Sequence, residues 1–137
     1  EYSPKEDLGQ EKTWESLGTE EINVGRNYFM FGHLTNGEVR YQIDMKNGIS
    51  PRGLPDGQLS YFLRLTVDKF ESSDAYHNFS WLSYKEYKTI LKSAKKSLKH
   101  EDYEDDRIDI EYRLLEKMMK FLEKSGYNTR IVFWFDS

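Results

Sequence analysis

Ser83 and Glu86 form an S-x-x-E pair at the head of a run whose apolar residues recur at helical spacing. In such a pair the serine oxygen and the glutamate carboxylate each accept from a backbone N–H that a helix start leaves unpaired. Leu82 before the pair and Tyr87 after it stand at the positions of a hydrophobic staple. Tyr84, Tyr87, Ile90, Leu91, Ala94 and Leu98 fall on one face, and Lys85, Lys88, Lys92, Lys95, Lys96 and Lys99 on the opposite one. Cap and stripe together predict a helix beginning at Ser83.

An acidic stretch follows, with carboxylates at Glu101, Asp102, Glu104, Asp105 and Asp106. A second helix is predicted from about Arg107 to Lys124, its stripe marked by Ile108, Tyr112, Leu115, Met118, Met119 and Leu122. Gly126 suits the left-handed position just past the helix end, and Lys124 lies near the negative end of the dipole. Thr129 to Phe135 reads as a strand of β-branched and aromatic residues, apolar on both faces and so placed inside a sheet. The fold class expected is α+β: a mixed or antiparallel sheet packed against two long C-terminal helices, with a final buried strand. The helices are joined by the acidic loop, which is long enough for an antiparallel pair.

The chain of 137 residues has room for one domain, with residues 1–26 as a possible extended arm. An aromatic content of 15% separates it from disordered chains, which are poor in such residues. The absence of Cys excludes a disulfide scaffold, Cys-ligated zinc, iron–sulfur clusters and a Cys nucleophile. The longest apolar run, Ile131 to Phe135, is far short of a membrane span. With 24 acidic against 20 basic side chains and a pI near 5.4, general nucleic-acid binding is disfavoured. No charged-then-apolar leader is present, and the expected location is the cytoplasm, of the host cell if the chain is phage-encoded.

Upstream of Ser83 the pattern is less regular. Tyr28, Phe31 and Leu34 lie three apart and suit one buried face of a short helix, with Gly32 counting against it. Asn36-Gly37 signals a turn, after which Val39–Ile43 suits a strand. From Lys46 to Ser60, Pro51, Pro55 and several glycines define an irregular loop with a set path rather than a flexible linker.

Asn27-Tyr28, Pro51-Arg52-Gly53-Leu54-Pro55-Asp56, His77 with Ser80-Trp81-Leu82, and the closing Ile131-Val132-Phe133-Trp134-Phe135-Asp136 together resemble a family of uncharacterised small phage and bacterial proteins. In that family a PRG-L/F-P turn precedes a D-x-H-S-x-SWL segment, and the chain often closes on a V-F-W-F-D-like strand. The resemblance covers roughly residues 26–137 and implies a phage-type accessory protein. Here the family's Asp-x-His pair is replaced by Asp74-Ala75-Tyr76-His77, and the Cys-Asp-Ile-His-like opening strand is absent.

Three residues stand out as candidates for binding: Arg52, His77 and Trp81. A neutral His77 imidazole, with Asp74 or Asp56, suits metal ligation or general-base work. The alternative is a loop histidine that hydrogen-bonds locally and helps position Trp81. Arg52, held between Pro51 and Gly53, suits a phosphate or carboxylate anchor, or a tie from its loop to a neighbouring carboxylate. The PRGLP loop and the His77 segment are expected to lie close together. No H-x-H or H-E-x-x-H spacing, phosphate-binding loop or nucleophile elbow is present, and the pattern specifies no cofactor. The lysine face of the first long helix reads as solvated, or as a dock for nucleic acid or an acidic partner, although no aromatic residues interleave the lysines.

Two functions follow as expectations. The first is a binding or inhibitory module acting on a host protein or a small ligand, with homo-oligomer formation possible. The alternative is a small metal-dependent hydrolase or nuclease centred on His77, with Asp74 as a weak second ligand.

Overall fold

A computed structural model describes residues 1–5, 13–18, 22, 24–40, 47–70, 72–98 and 108–136. Among these residues the chain is α+β, with a small three-stranded antiparallel sheet and four helices. In order they are β1 (Tyr2–Pro4), α1 (Tyr28–Leu34), α2 (Tyr61–Phe70), β2 (Tyr76–Ser83), α3 (Tyr84–Leu98), α4 (Ile110–Lys124) and β3 (Tyr127–Asp136). The strand order is β1-β3-β2, so the last strand is the central one.

The capping box forms reciprocally: Ser83 Oγ accepts from the Glu86 N–H at 3.2 Å, and Glu86 Oε1 from the Ser83 N–H at 2.9 Å. Ser83 is both the last residue of β2 and the cap of α3, with no loop between strand and helix. Both staple residues, Leu82 and Tyr87, are fully buried. The helix buries Tyr87, Ile90, Leu91, Ala94 and Leu98, and its lysines from Lys85 to Lys96 are exposed.

The second long helix begins at Ile110, with Asp109 at its cap position. Arg107 and the acidic stretch before it lie outside the described residues, as does most of the segment expected as a strand over 39–43. Gly126, at φ 96°, takes the left-handed turn that joins α4 to β3. Asn27 caps α1, its Oδ1 accepting from the Met30 N–H at 3.0 Å, while its Nδ2 donates to Asp109 at 2.9 Å. One side chain thus starts α1 and ties it to the entrance of α4. Met30 and Leu34 of α1, Leu82 of β2, the buried faces of α3 and α4, and Ile131 and Phe133 of β3 form one core.

Two elements depart from the expected pattern. The segment around His77 is not a loop but strand β2, paired to β3 from Tyr76↔Asp136 to Ser83↔Arg130 with a bulge between His77 and Ser80. Asn78 sits in that bulge at φ 54°, a conformation Asn tolerates better than most residues. Helix α2 is capped by Ser60, whose Oγ accepts from the Leu63 N–H at 3.2 Å. It buries Leu63, Thr66 and Val67. Its Phe70 stacks on Tyr76 at 4.0 Å and meets Trp134 at 6.1 Å.

Cross-strand partners share a face, so the register divides the sheet. Ser80, Leu82, Ile131 and Phe133 face the core, while Tyr76, Trp81, Val132 and Trp134 face the opposite way, where Phe70 packs. The N-terminal residues join the sheet, with Tyr2 paired to Thr129 on one side and bridged to Glu15 on the other. No helix among the described residues is long and apolar enough to cross a membrane.

Candidate functional site

The PRGLP loop lies directly on β2. The Gly53 N–H donates to the Phe79 carbonyl at 2.8 Å, and the Arg52 N–H to Ser80 Oγ at 3.3 Å. The Arg52 guanidinium is 3.7 Å above the Trp81 ring. Its Nε donates to the Trp81 carbonyl at 3.0 Å, and its two terminal nitrogens grip Glu86 at 3.1 and 2.6 Å. Glu86 is the capping-box glutamate, so a single carboxylate serves both the helix cap and the loop. Partial burial pushes the Glu86 pKa up, but the bonds from Arg52 and Ser83 outweigh it and hold the carboxyl below its ordinary value. With its donors so committed, Arg52 ties its loop to a carboxylate.

His77 is brought to a different place from Trp81. Its register partner is Phe135, on whose ring it stacks at 6.2 Å, and its Nδ1 lies 2.5 Å from Asn78 Oδ1. Trp81 shares the opposite face with Val132. Asp74 is exposed in the turn before β2, and Asp56 is exposed in the PRGLP loop. Among the described residues no group of three or more His, Asp or Glu side chains could hold a metal ion.

A larger feature lies along β3, where a cavity of about 520 Å³ is lined by eight consecutive strand residues, Thr129 to Asp136. Its walls are mainly apolar, with Leu34, Phe70, Leu115 and Met118 among them. Glu1 and Arg130 stand at the β1 end, joined by an ion pair with a 2.6 Å separation. Arg130 Nη2 also donates to the Gln58 carbonyl at 2.9 Å, and its guanidinium lies 3.8 Å over Trp14. Burial lowers the Arg130 pKa and the Glu1 carboxylate opposes that shift.

Tyr112 also lines the cavity, and its Oη is buried with no hydrogen-bond partner among the described residues. Burial first, and the nearby Asp109 and Glu111 charges second, raise its pKa, which keeps the hydroxyl protonated and able to donate.

Sequence reasoning did not single out Arg130, Tyr112 or Glu1. The signal for Arg130 was available: it is the one charged residue between Tyr127 and Phe135, at the head of the apolar run Ile131 to Phe135. Comparison with family models, with curated proteins and with solved structures finds no match for this chain.

Proposed function

We propose that this chain is a binding module of the accessory kind that the phage and bacterial resemblance implies, working in the cytoplasm on a host protein or a small ligand. Its seat is the cavity along β3. The observation that carries this reading is the roughly 520 Å³ of largely apolar space beside Thr129 to Asp136. Binding pockets commonly measure about 300–1,000 Å³, are mostly apolar and carry a few placed polar groups.

The alternative hydrolase or nuclease reading needs His77 to gather ligands, and no geometry described above favours it.

The test is a titration of the folded protein with 1-anilinonaphthalene-8-sulfonate, alongside a Leu122→Trp variant that places a larger side chain on the cavity wall. Saturable one-to-one enhancement, lost in the variant while its circular dichroism is unchanged, is the expected result. No enhancement, or enhancement indifferent to the substitution, would overturn the reading.

A further inference from the structure

α3 and α4 pack side by side and antiparallel: the Tyr84 hydroxyl donates to Glu116 at 3.2 Å, and the Tyr87 hydroxyl, further along α3, to the Tyr112 carbonyl at 2.6 Å. The exposed residues of α3 are Lys85, Lys88, Thr89, Lys92, Lys95 and Lys96. Those of α4 are Ile110, Leu114 and Phe121 together with Lys117, Lys120 and Lys124. A chain of net charge −4 thus exposes no carboxylate on either helix. Their glutamates are all half-buried, and three are committed elsewhere. Glu86 is held by Arg52, Glu116 accepts from Tyr84, and Glu123 pairs with Lys5 and accepts from Thr129. Among the described residues, none of the lysines exposed on the two helices makes an ion pair.

The apolar residues on this face are ordered. Ile110, Leu114 and Phe121 are 66%, 49% and 70% exposed. At about 100° per residue they fall within about 40° of one another, in a single row roughly 16 Å long. Lys117, Lys120 and Lys124 border that row on the flank turned towards α3, the flank on which Glu116 meets Tyr84. The other flank carries Glu111 and Met118. Between the helices runs a groove of about 270 Å³, lined by buried Leu91 and by Lys95, Ile110, Leu114 and Lys117 among others.

An occupant must therefore bring apolar groups in a line and negative charge along one side of that line. Nucleic acid would meet the lysines but press its phosphates against the apolar row as well, and no aromatic residue interleaves the α3 lysines for base stacking. An anionic lipid surface spreads its charge evenly in the plane, whereas here one flank is cationic and the other carries Glu111. A second copy of the same face would set lysine against lysine. We infer that α3 and α4 form a docking face for an acidic amphipathic helix of a partner protein. That helix lays its apolar stripe along Ile110, Leu114 and Phe121 and its carboxylates against the lysines. None of the exposed residues of this face lines the β3 cavity, so the inference goes beyond the reading above and stands independently of it.

The experiment titrates the whole chain into a fluorescein-labelled helical peptide with a leucine stripe and glutamates beside it, followed by anisotropy. Two control peptides replace the glutamates by glutamine or the leucines by serine. The expected result is one-to-one binding of the first peptide, weakened about tenfold or more in each control. Phe121→Ser and the double variant Lys117→Glu/Lys120→Glu, with unchanged circular dichroism, should each weaken it by a similar factor. No binding of the acidic peptide would overturn the inference. So would equal binding of all three peptides, or binding indifferent to both variants. Vesicles of phosphatidylserine and phosphatidylcholine in equal parts, and a short DNA duplex, are titrated in parallel. Tighter binding to either, lost in the same variants, would assign the face to lipid or nucleic acid and overturn a protein partner. A dimer on sizing that Phe121→Ser dissociates would assign it to a second copy, with the same consequence.

Discussion

The Arg130 guanidinium holds the Glu1 carboxylate with both side chains almost entirely shielded from solvent, their relative exposures being 6% and 4%. The second oxygen of that carboxylate accepts the N–H of Ser60, the cap of α2. One ion pair thus joins the first strand, the central strand and the start of a helix on the sheet's outer face.

Arg130→Met should therefore destabilise the protein by about 3–5 kcal/mol, because it leaves a buried carboxylate without its partner. Adding Glu1→Gln to that variant should recover most of the loss, since the stranded charge is then removed. Urea unfolding of the single and double variants measures this; a double variant no more stable than the single would show that the charge is not the cost.

Arg52 and Glu86 are each about a third exposed, so solvent screens their pairing. Arg52→Ala should cost no more than about 1 kcal/mol in stability. It should shift Trp81 fluorescence to longer wavelength, because the ring loses the guanidinium that covers it. Ser83→Ala should cost about 1 kcal/mol through the helix cap, with Trp81 emission unchanged. The Glu86 carboxyl titrates below its ordinary value in the folded state, so its contribution is present at neutral pH and is lost as pH falls through that lowered value. In Arg52→Ala that acid-side loss should shrink.

His33 is 1% exposed in α1, faces Phe29 at 4.6 Å, and has no hydrogen-bond partner for either ring nitrogen among the described residues. Burial lowers its pKa from the ordinary 6.5. On acidification the unfolded chain takes up this proton first, so stability is complete above pH 6.5 and declines as pH falls below it. Thermal unfolding of His33→Phe across this range should show a flatter slope than the native chain. An identical slope would mean that another group carries the dependence.

Asn78 holds a left-handed conformation at the β2 bulge. Asn78→Gly should leave stability nearly unchanged, whereas Asn78→Val should cost about 1–2 kcal/mol, because a β-branched residue strains there. Chemical denaturation of both variants separates the backbone requirement from any loss of the contact with His77.

What could be read without coordinates was what is local in the chain. The Ser83–Glu86 box is legible because its partners are three residues apart and the geometry follows from the helix itself. Strand β2 was hidden by its own irregularity: the bulge at Asn78 breaks the alternation between His77 and Ser80 that a regular strand displays. Helix α2 shows Leu63, Thr66, Val67 and Phe70 at helical spacing behind the cap Ser60, yet it follows directly on the loop that dominates that stretch of sequence. The partner of Arg52 was foreseen only as some carboxylate, since Glu86 is 34 residues away. The cavity had no local signature. Its walls come from segments far apart in the chain, among them Leu34, Phe70, Met118 and Thr129 to Asp136.

The absence of any loop between β2 and α3 has a mechanical consequence. Ser83 ends one element and caps the next, so its backbone cannot relax in one without disturbing the other, and no hinge separates them. Sheet and helix should then open as a single cooperative unit, in the manner of a lever and its fulcrum cut from one piece. A displacement imposed on β3 would reach α3 through the β2 ladder as a rigid tilt, carrying the exposed lysine face with it.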